Sequence, residues 1–425
     1  MKIHIDIDCF FVSATRILHP ELEHKPVAIG GRSDTKIFTP SAKNQTVNFQ
    51  NAGSFVPTFY KAYETKDDDI AAFRDADGKI RGILTTSSYE ARAYGIKTAM
   101  SISQALQLCP QLIIKAPNMS LYQKLSHELH DFLSLKIPLI EQASIDEFYG
   151  DVTGWVKDED IPQFIDNLRH EIKNSLKLPV SIGAAPTRYI AKLATGYAKP
   201  FGCKTIYDWE FDTFVNPIKV ENFAGIGKSM QEKLHNAHIH TLGELRKRRG
   251  TIESWGPYAK TLYKRVNGEI DAPIQTQHKR KSIGISRTFD PIFQRSELKR
   301  RVHILARHLS FAIYKLKVIP THYHLGIHYE MQHKSHQNIS LCELLSEQKF
   351  DALCIQLFNA ADIHPRLHVI RLSIQCGNFT RDSKKELSLI GFHEMQNMQR
   401  LTQHTQHLRQ KYGLDTLKFA SELIK

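Results

Sequence analysis

Two adjacent carboxylates between apolar neighbours are the first feature with chemistry in them. In Ala143-Ser-Ile-Asp-Glu-Phe-Tyr149, Asp146 and Glu147 sit in a segment too hydrophobic for a solvated loop, so their charge calls for a partner such as a metal ion. A second acidic strand supplies the rest of a site. In Lys2-Ile-His-Ile-Asp-Ile-Asp8, isoleucines 3, 5 and 7 alternate with His4, Asp6 and Asp8, which predicts a half-buried strand with two carboxylates on one face. Side by side, the two strands bring three or four carboxylates together. Hard oxygen ligands with coordination left over for phosphates and water suit Mg²⁺. Two such ions about 4 Å apart serve in-line phosphoryl transfer. On that segment alone an ion-paired hairpin explains Asp146-Glu147 as well, since strand neighbours point to opposite faces and both ligate only at a strand end or bulge.

The elements that must position these residues are readable in order. The first strand runs into Cys9-Phe-Phe-Val12, and Lys25-Pro-Val-Ala-Ile-Gly-Gly31 reads as a second strand with a glycine turn. From Thr35 to about Ile80 the chain is polar and poorly periodic and reads as an insertion. Within it, Asp75-x-Asp77-Gly78 has the start of a calcium loop without its later ligand positions. Order resumes at Gly82-Ile-Leu-Thr-Thr86. If Ser88 caps a short helix, Tyr89 and Arg92 share a face near its N-terminus, a place suited to polyphosphate or to an ordinary salt bridge. Helical spacing over Leu121–Leu135, the acidic hairpin over Ile137–Val152, a helix near Ile161–Leu176, a strand at Val180–Gly183 and a helix from Thr187 to Ala198 complete a split β-α-β unit with helices on one side of the sheet. Lys199 then stands at the helix end before Pro200, where it also complements the helix dipole.

The chain of 425 residues is long enough for several domains, and its formal charge of +13, with a pI near 9.3, favours a polyanionic partner such as nucleic acid over a membrane. No apolar run approaches a membrane span and the N-terminus enters a strand directly, which predicts a soluble, cytoplasmic protein. Six dispersed cysteines, none in a C-x-x-C pair, suit buried thiols in a reducing compartment.

In Asn222-Phe-Ala-Gly-Ile-Gly-Lys228, glycines 225 and 227 can turn backbone N–H groups toward a phosphate, with Lys228 beside them. This reads as a helix-hairpin-helix, or as a simple tight turn. After a linker come a strand at Ser282–Thr288, a helix at Ser296–Lys317, a strand at His322–Glu330, an edge near Asn338–Leu341, a helix at Glu347–Ala361 and a strand at Val369–Cys376, a second α+β unit in the order β-α-β-β-α-β. His322, His324 and His328 share one strand face, which fits a polar surface against phosphates better than a zinc site. Past Phe379 the chain turns polar, with one apolar knot at Glu386-Leu-Ser-Leu-Ile390.

These motifs together resemble the Y-family of translesion DNA polymerases, bacterial DNA polymerase IV and its relatives among them. Asp6-Ile-Asp-Cys-Phe-Phe11, Tyr89-Glu-Ala-Arg92, Ser144-Ile-Asp-Glu147 and Ala198-Lys199-Pro200 match in order, and Gly225-Ile-Gly227 and Arg280-Lys-Ser-Ile-Gly284 extend the match. The resemblance implies an α+β, multidomain right-hand polymerase: a split β-α-β palm over 1–10 and 119–207, and small fingers over 11–118 with the insertion at about 35–80. It further implies a helix-hairpin-helix thumb over 208–274, a linker over 275–281, a β-α-β-β-α-β little finger over 282–379 and a tail over 380–425.

It assigns Asp6, Asp146, Glu147 and the Ile7 carbonyl to two Mg²⁺ ions. Tyr89, Arg92 and Lys199 would hold the incoming deoxynucleoside triphosphate, with Phe11 stacked on its sugar. Gly225, Gly227, Lys228, Lys281 and Arg287 would contact primer-template DNA. Glu386, Leu387, Leu389 and Ile390 would stand where the family's sliding-clamp peptide does. Three departures qualify the match: Ala185-Pro-Thr-Arg188 replaces a Ser-x-Asn-Lys, the insertion lengthens the fingers, and isoleucine ends the clamp-like peptide. A catalytically silent DNA-binding scaffold and a nucleotidyl cyclase on a similar palm are the competing readings; intact acids argue against the first, the Gly-Ile-Gly thumb and basic last domain against the second.

Overall fold

The computed structural model describes residues 1–33, 35–39, 45–47, 59–61, 69–74, 78–276, 280–341, 346–380 and 392–423. They form two compact units, one built from Met1–Gly30 and Asp67–His278, the other from Lys279–Lys425 with Gly31–Gln50 and Ser54–Lys66. The Asp75–Asp77 loop and the Glu386–Ile390 peptide lie outside the described residues.

The first unit is organised on a five-stranded sheet in the order Cys203–Thr205, Val180–Ala185, Lys2–Ile7, Glu147–Asp151, Leu139–Gln142. Alternation in the central strand works as expected: Ile3, Ile5 and Ile7 are buried on one face, and Asp6 pairs in register with Glu147 on one side and Ser181 on the other. Helices cover both faces of this sheet, not one. The helix Arg188–Ala198 lies against the polar face, where Thr195 bonds the His4 carbonyl. Gly183 permits that approach, because a Cβ there would stand 2.2 Å from the Ala191 carbonyl oxygen.

A smaller sheet, Ile83–Ser87, Val27–Gly31 and Ile113–Lys115, packs with the helix Ile102–Leu108 around Leu84, Ala91, Ile96 and Ile102. Four short helices between Lys228 and Val266 share an apolar cluster with Ile190, Leu193 and Ala194 of the palm helix.

In the second unit the strands run Ser282–Ile292, Val369–Thr380, Ile319–Tyr329, Lys334–Ser340, and the helices Arg295–Leu316 and Glu347–Ala361 bury one face. Two features were not readable from the sequence. Ile37 and Phe38, in a stretch read as part of a fingers insertion, are buried in this core, where Arg300 donates to the Phe38 carbonyl and Arg301 stacks on Phe38 and Phe289. The polar helix Phe392–Tyr412 and the turns after it are held by buried ion pairs, Arg409 with Glu347 and Arg307 with Glu422. Among the described residues no helix is long and apolar enough to cross a membrane.

Candidate active site

The acidic pair owes its geometry to Ser144. Its hydroxyl accepts the backbone N–H groups of Asp146 (3.3 Å) and Glu147 (3.0 Å) and donates to Asp146 Oδ1 at 2.5 Å. The resulting turn puts Asp146 just before the strand and makes Glu147 its first residue. This is the strand-end arrangement that lets neighbouring carboxylates face one site. Ile7 N–H donates to the Asp146 carbonyl at 3.0 Å, which locks the turn to the end of the central strand and brings Asp6 alongside.

Crowding and burial raise the cost of charge here. Burial lifts the Asp6 carboxyl to about 7; Lys199 opposes this, and Asp146 and Glu147 add to it. Burial also raises Asp146, against its bond from Ser144 and with the neighbouring charge of Glu147. Two ammonium groups offset the negative charge: Lys199 pairs with Asp6, and Lys192 bonds both Glu147 oxygens at 2.7 and 2.8 Å. Lys192 was not singled out in the sequence. A set of two carboxylates whose ligating atoms lie within 4.8 Å, with a third acid beside them and cations already drawn in, fits hard divalent ions.

Asp8 does not join this cluster, contrary to the two-carboxylate face expected of the strand. The strand ends at Ile7, and the chain turns through a left-handed Cys9 (φ 38°) into the helix Phe10–Leu18. Asp8 is thereby buried, and it accepts from Ser181 Oγ (2.9 and 3.1 Å), Phe201 N–H (2.7 Å) and Tyr89 Oη (3.0 Å). It holds Tyr89 in place. Burial first, and Asp8 next, push the Tyr89 phenol well above its ordinary value, so it remains a donor. Ser88 caps the short helix as expected, accepting Ala91 N–H at 3.2 Å, and Arg92 lies 4.8 Å over the Tyr89 ring while donating to the Ser87 carbonyl.

Phe10 and Phe11 lie on a helix, not on an extended segment whose neighbours face opposite ways. Both are buried, at 3% and 6% exposure, and Phe11 stacks on Tyr122 at 4.3 Å and 11°. Arg188, where the family pattern has lysine, is committed elsewhere. It makes a two-pronged ion pair with Glu141 (2.7 and 2.8 Å) and lies 4.0 Å over Tyr149.

Gly225 takes φ 103°, accepts a hydrogen bond from Tyr258 Oη, and leads to Gly227, which caps the nine-residue helix Lys228–Asn236. Lys281 is exposed at the start of its strand. Arg287 departs from the expectation of a DNA-facing cation. It follows Ile283 and Ile285 on the helix-covered side of the sheet, is 7% exposed and donates to the Ser286 carbonyl. The open face carries Arg371, beside His328 in register, with His324 and His336 stacked at 5.5 Å. Among the described residues His322, His324 and His328 do not form a three-ligand cluster.

A palm sheet with acids gathered at strand ends, a small β-rich layer, a helical layer and a separate β-α-β-β-α-β unit define a right-hand polymerase fold. Residues 5–196 match the family model described as the impB/mucB/samB family, and residues 280–389 match the C-terminal domain of that family. DNA polymerase IV of Pseudomonas syringae pv. tomato is 30% identical over 291 residues, which cover 68% of this chain and 70% of that protein. DNA polymerase IV of Oceanobacillus iheyensis is 26% identical over 417 residues, 96% of this chain and 89% of its own. A Y-family Dbh–Dpo4 polymerase chimera superposes with a TM-score of 0.70 at 23% identity, covering 90% of this chain and 99% of that one. The chain belongs to the impB/mucB/samB family, the Y-family of DNA polymerases.

Proposed function

We propose that this Y-family enzyme is a DNA-directed DNA polymerase of the translesion type, which adds deoxynucleotides to a primer 3′-OH on a DNA template by two-metal nucleotidyl transfer. The observation that supports this most is the convergence of Asp6, Asp146 and Glu147 at adjoining strand ends under Lys199 and Lys192. Asp6, Asp146, Glu147 and the Ile7 carbonyl would hold two Mg²⁺ ions, which when bound supply an activated primer oxygen and charge compensation for departing pyrophosphate.

This chain's own groups do the positioning. Lys199 and Arg92 would bring cations to the triphosphate, and Tyr89, its hydroxyl spent on Asp8, sets its ring under Arg92. Phe11 would lie against the sugar. The N–H groups after Gly225 and Gly227, with Lys228 and Lys281, would take DNA phosphates without reading sequence. Arg287, being buried, would act there only through the sheet it supports. Glu386–Ile390 would dock on a sliding clamp by burying Leu387, Leu389 and Ile390. Replacing both leucines by alanine should shorten products only when clamp is present.

Asp146→Ala or Glu147→Ala should abolish primer extension and leave primer-template affinity near normal, because phosphate contacts elsewhere supply most of the binding. Extension near the parental rate in either variant would overturn the assignment.

A further inference from the structure

The palm helix Arg188–Ala198 opens on a cation, where the start of a helix favours an anion. Arg188 lies over a row of residues that stand in register across four strands, Gly183, His4, Tyr149 and Glu141. Its guanidinium is 4.0 Å above the Tyr149 ring and forks onto Glu141, whose side chain is only 4% exposed. Three further hydrogen bonds reach another part of the chain. Arg188 Nη1 also donates to the Pro273 carbonyl at 3.3 Å, and the Arg188 backbone N–H donates to Asp271 Oδ1 at 3.0 Å. Gln275 N–H donates to Glu141 Oε2 at 2.7 Å. Asp271, Pro273 and Gln275 lie in the irregular stretch that follows the helix Pro257–Val266 and leads into the linker.

The contacts depend on one another. A buried carboxylate needs its acceptor sites filled, and Glu141 fills two with the fork and another with Gln275 N–H. Asp271 brings to the helix start the negative charge that Arg188 does not supply. Lysine could not take this place. An ammonium group has no planar fork with which to hold Glu141 while lying flat on Tyr149 and reaching a carbonyl. The arginine in Ala185-Pro-Thr-Arg188 therefore has a task that the lysine of Ser-x-Asn-Lys could not perform.

We propose that Arg188 and Glu141 form a latch that docks Asp271–Gln275 on the palm and so shortens the tether to the β-α-β-β-α-β unit. Both are positioning residues, and the inference rests on the proposed function, in which the two units hold one primer-template. With the latch closed, residues 276–281 alone span from Gln275 to the strand that begins at Ser282, six residues in place of the eleven of 271–281. The effective concentration of a tethered binding domain falls as about the −3/2 power of tether length, so opening the latch should weaken DNA binding about two- to threefold.

Glu141→Gln in the full chain tests it, because the amide keeps the shape, breaks the fork and removes no cation. Hydrogen exchange should find Gln275 N–H protected in the wild type and exchanging on the order of tenfold faster or more in the variant, with the strand Lys2–Ile7 still protected because the palm remains folded. Primer-template affinity should fall about two- to threefold, with the slope of log affinity against log salt unchanged, since no phosphate contact is lost. Arg188→Gln should behave in the same way. A salt slope shallower by about one in Arg188→Gln makes that residue a phosphate contact and overturns the proposal. Faster exchange at Gln275 with unchanged DNA affinity also overturns it. So does a wild-type Gln275 amide that exchanges as fast as an unstructured peptide, which decides the matter even if both variants fold poorly. If the wild type binds no primer-template DNA, the proposed function fails, while the Gln275 amide still reports whether the linker is docked.

Discussion

Asp8 provides the sharpest test of how the site is assembled, because it lies two residues from a proposed ligand and the structure gives it a different task. Its carboxylate is 1% exposed and receives three donors: the Ser181 hydroxyl, the Phe201 N–H and the Tyr89 phenol. Hydrogen bonds to a buried charged acceptor contribute about 1.5–3 kcal/mol each, and a donor left unpaired costs about 1–3 kcal/mol. The Ser181 hydroxyl can turn and the half-buried Tyr89 can reach water, so the full sum is not lost. Asp8→Ala should destabilise the enzyme by about 3–4 kcal/mol, mainly through the Phe201 N–H and the lost charge.

Asp8→Asn keeps the shape but turns an N–H₂ toward a donor, for a loss of about 2 kcal/mol. Either change frees Tyr89, so KM for the incoming nucleotide should rise by about tenfold while bound metal is unchanged. Urea unfolding gives the stability, single-nucleotide insertion gives kcat and KM separately, and Tyr89→Phe closes a double-mutant cycle with Asp8→Asn. The coupling should be about 1 kcal/mol. An Asp8→Asn enzyme that loses its metal, or whose stability and KM match the parent, refutes the reasoning.

Further outcomes follow from particular side chains. Phe11→Ala should raise ribonucleotide insertion sharply and also cost about 3 kcal/mol, since the ring stacks on Tyr122, whereas Phe10→Ala should cost about 3–5 kcal/mol with sugar choice unchanged. An unaltered insertion ratio in Phe11→Ala removes its proposed contact with the sugar. His324 is held below its ordinary value by burial, His336 and His322, and His328 by burial, Arg371 and Lys334. Both are therefore neutral at pH 8, and proton uptake as the pH falls below 6.5 adds positive charge to the open sheet face. DNA affinity should rise over that range in the parent and less in a His324→Asn, His328→Asn variant; equal pH dependence places these histidines away from DNA. Glu422→Ala removes the acceptor of Arg307 Nε, leaving that buried guanidinium with Asp415 and the Leu414 carbonyl, and should cost about 1–3 kcal/mol. A loss below about 1 kcal/mol in chemical denaturation shows that the C-terminal turns are not docked as described.

Much of this architecture is visible in residue order because it rests on periodicity. Alternating isoleucines place the central strand, and the second β-α-β-β-α-β unit follows from strands and helices long enough to show their repeat. What the sequence hides has local causes. Asp8 leaves the acidic face because a non-glycine residue, Cys9, adopts φ 38°, a conformation that residue type does not announce. The same turn starts a helix at Phe10, where the sequence reads as a continuation of the strand, and Phe10 and Phe11 are buried together. Arg287 occupies a core-side position in an otherwise apolar alternation. Ile37 and Phe38 sit in a polar, aperiodic stretch, and the helix Phe392–Tyr412 docks through arginine and glutamate. In both cases burial depends on partners far away in the chain, Arg300 and Arg301 in one and Glu347 in the other.

The two lysines at the acids connect the resting site to its proposed working state. Three carboxylates this close repel one another, and the pairs Lys199–Asp6 and Lys192–Glu147 let them persist in the folded chain. Lys199 is also the cation assigned to the triphosphate, and one ammonium group cannot serve both partners fully. Divalent ions held at Asp6 would compete with Lys199 for that carboxylate and release its ammonium group to phosphate, so on the proposed function ion and nucleotide binding would reinforce each other through one side chain. On that reading Lys199 stabilises the acids with the same charge that it would give to the triphosphate. Lys199 stands directly after the helix Arg188–Ala198, which Gly183 lets close down on the sheet, and so the fold itself holds the ammonium group at Asp6.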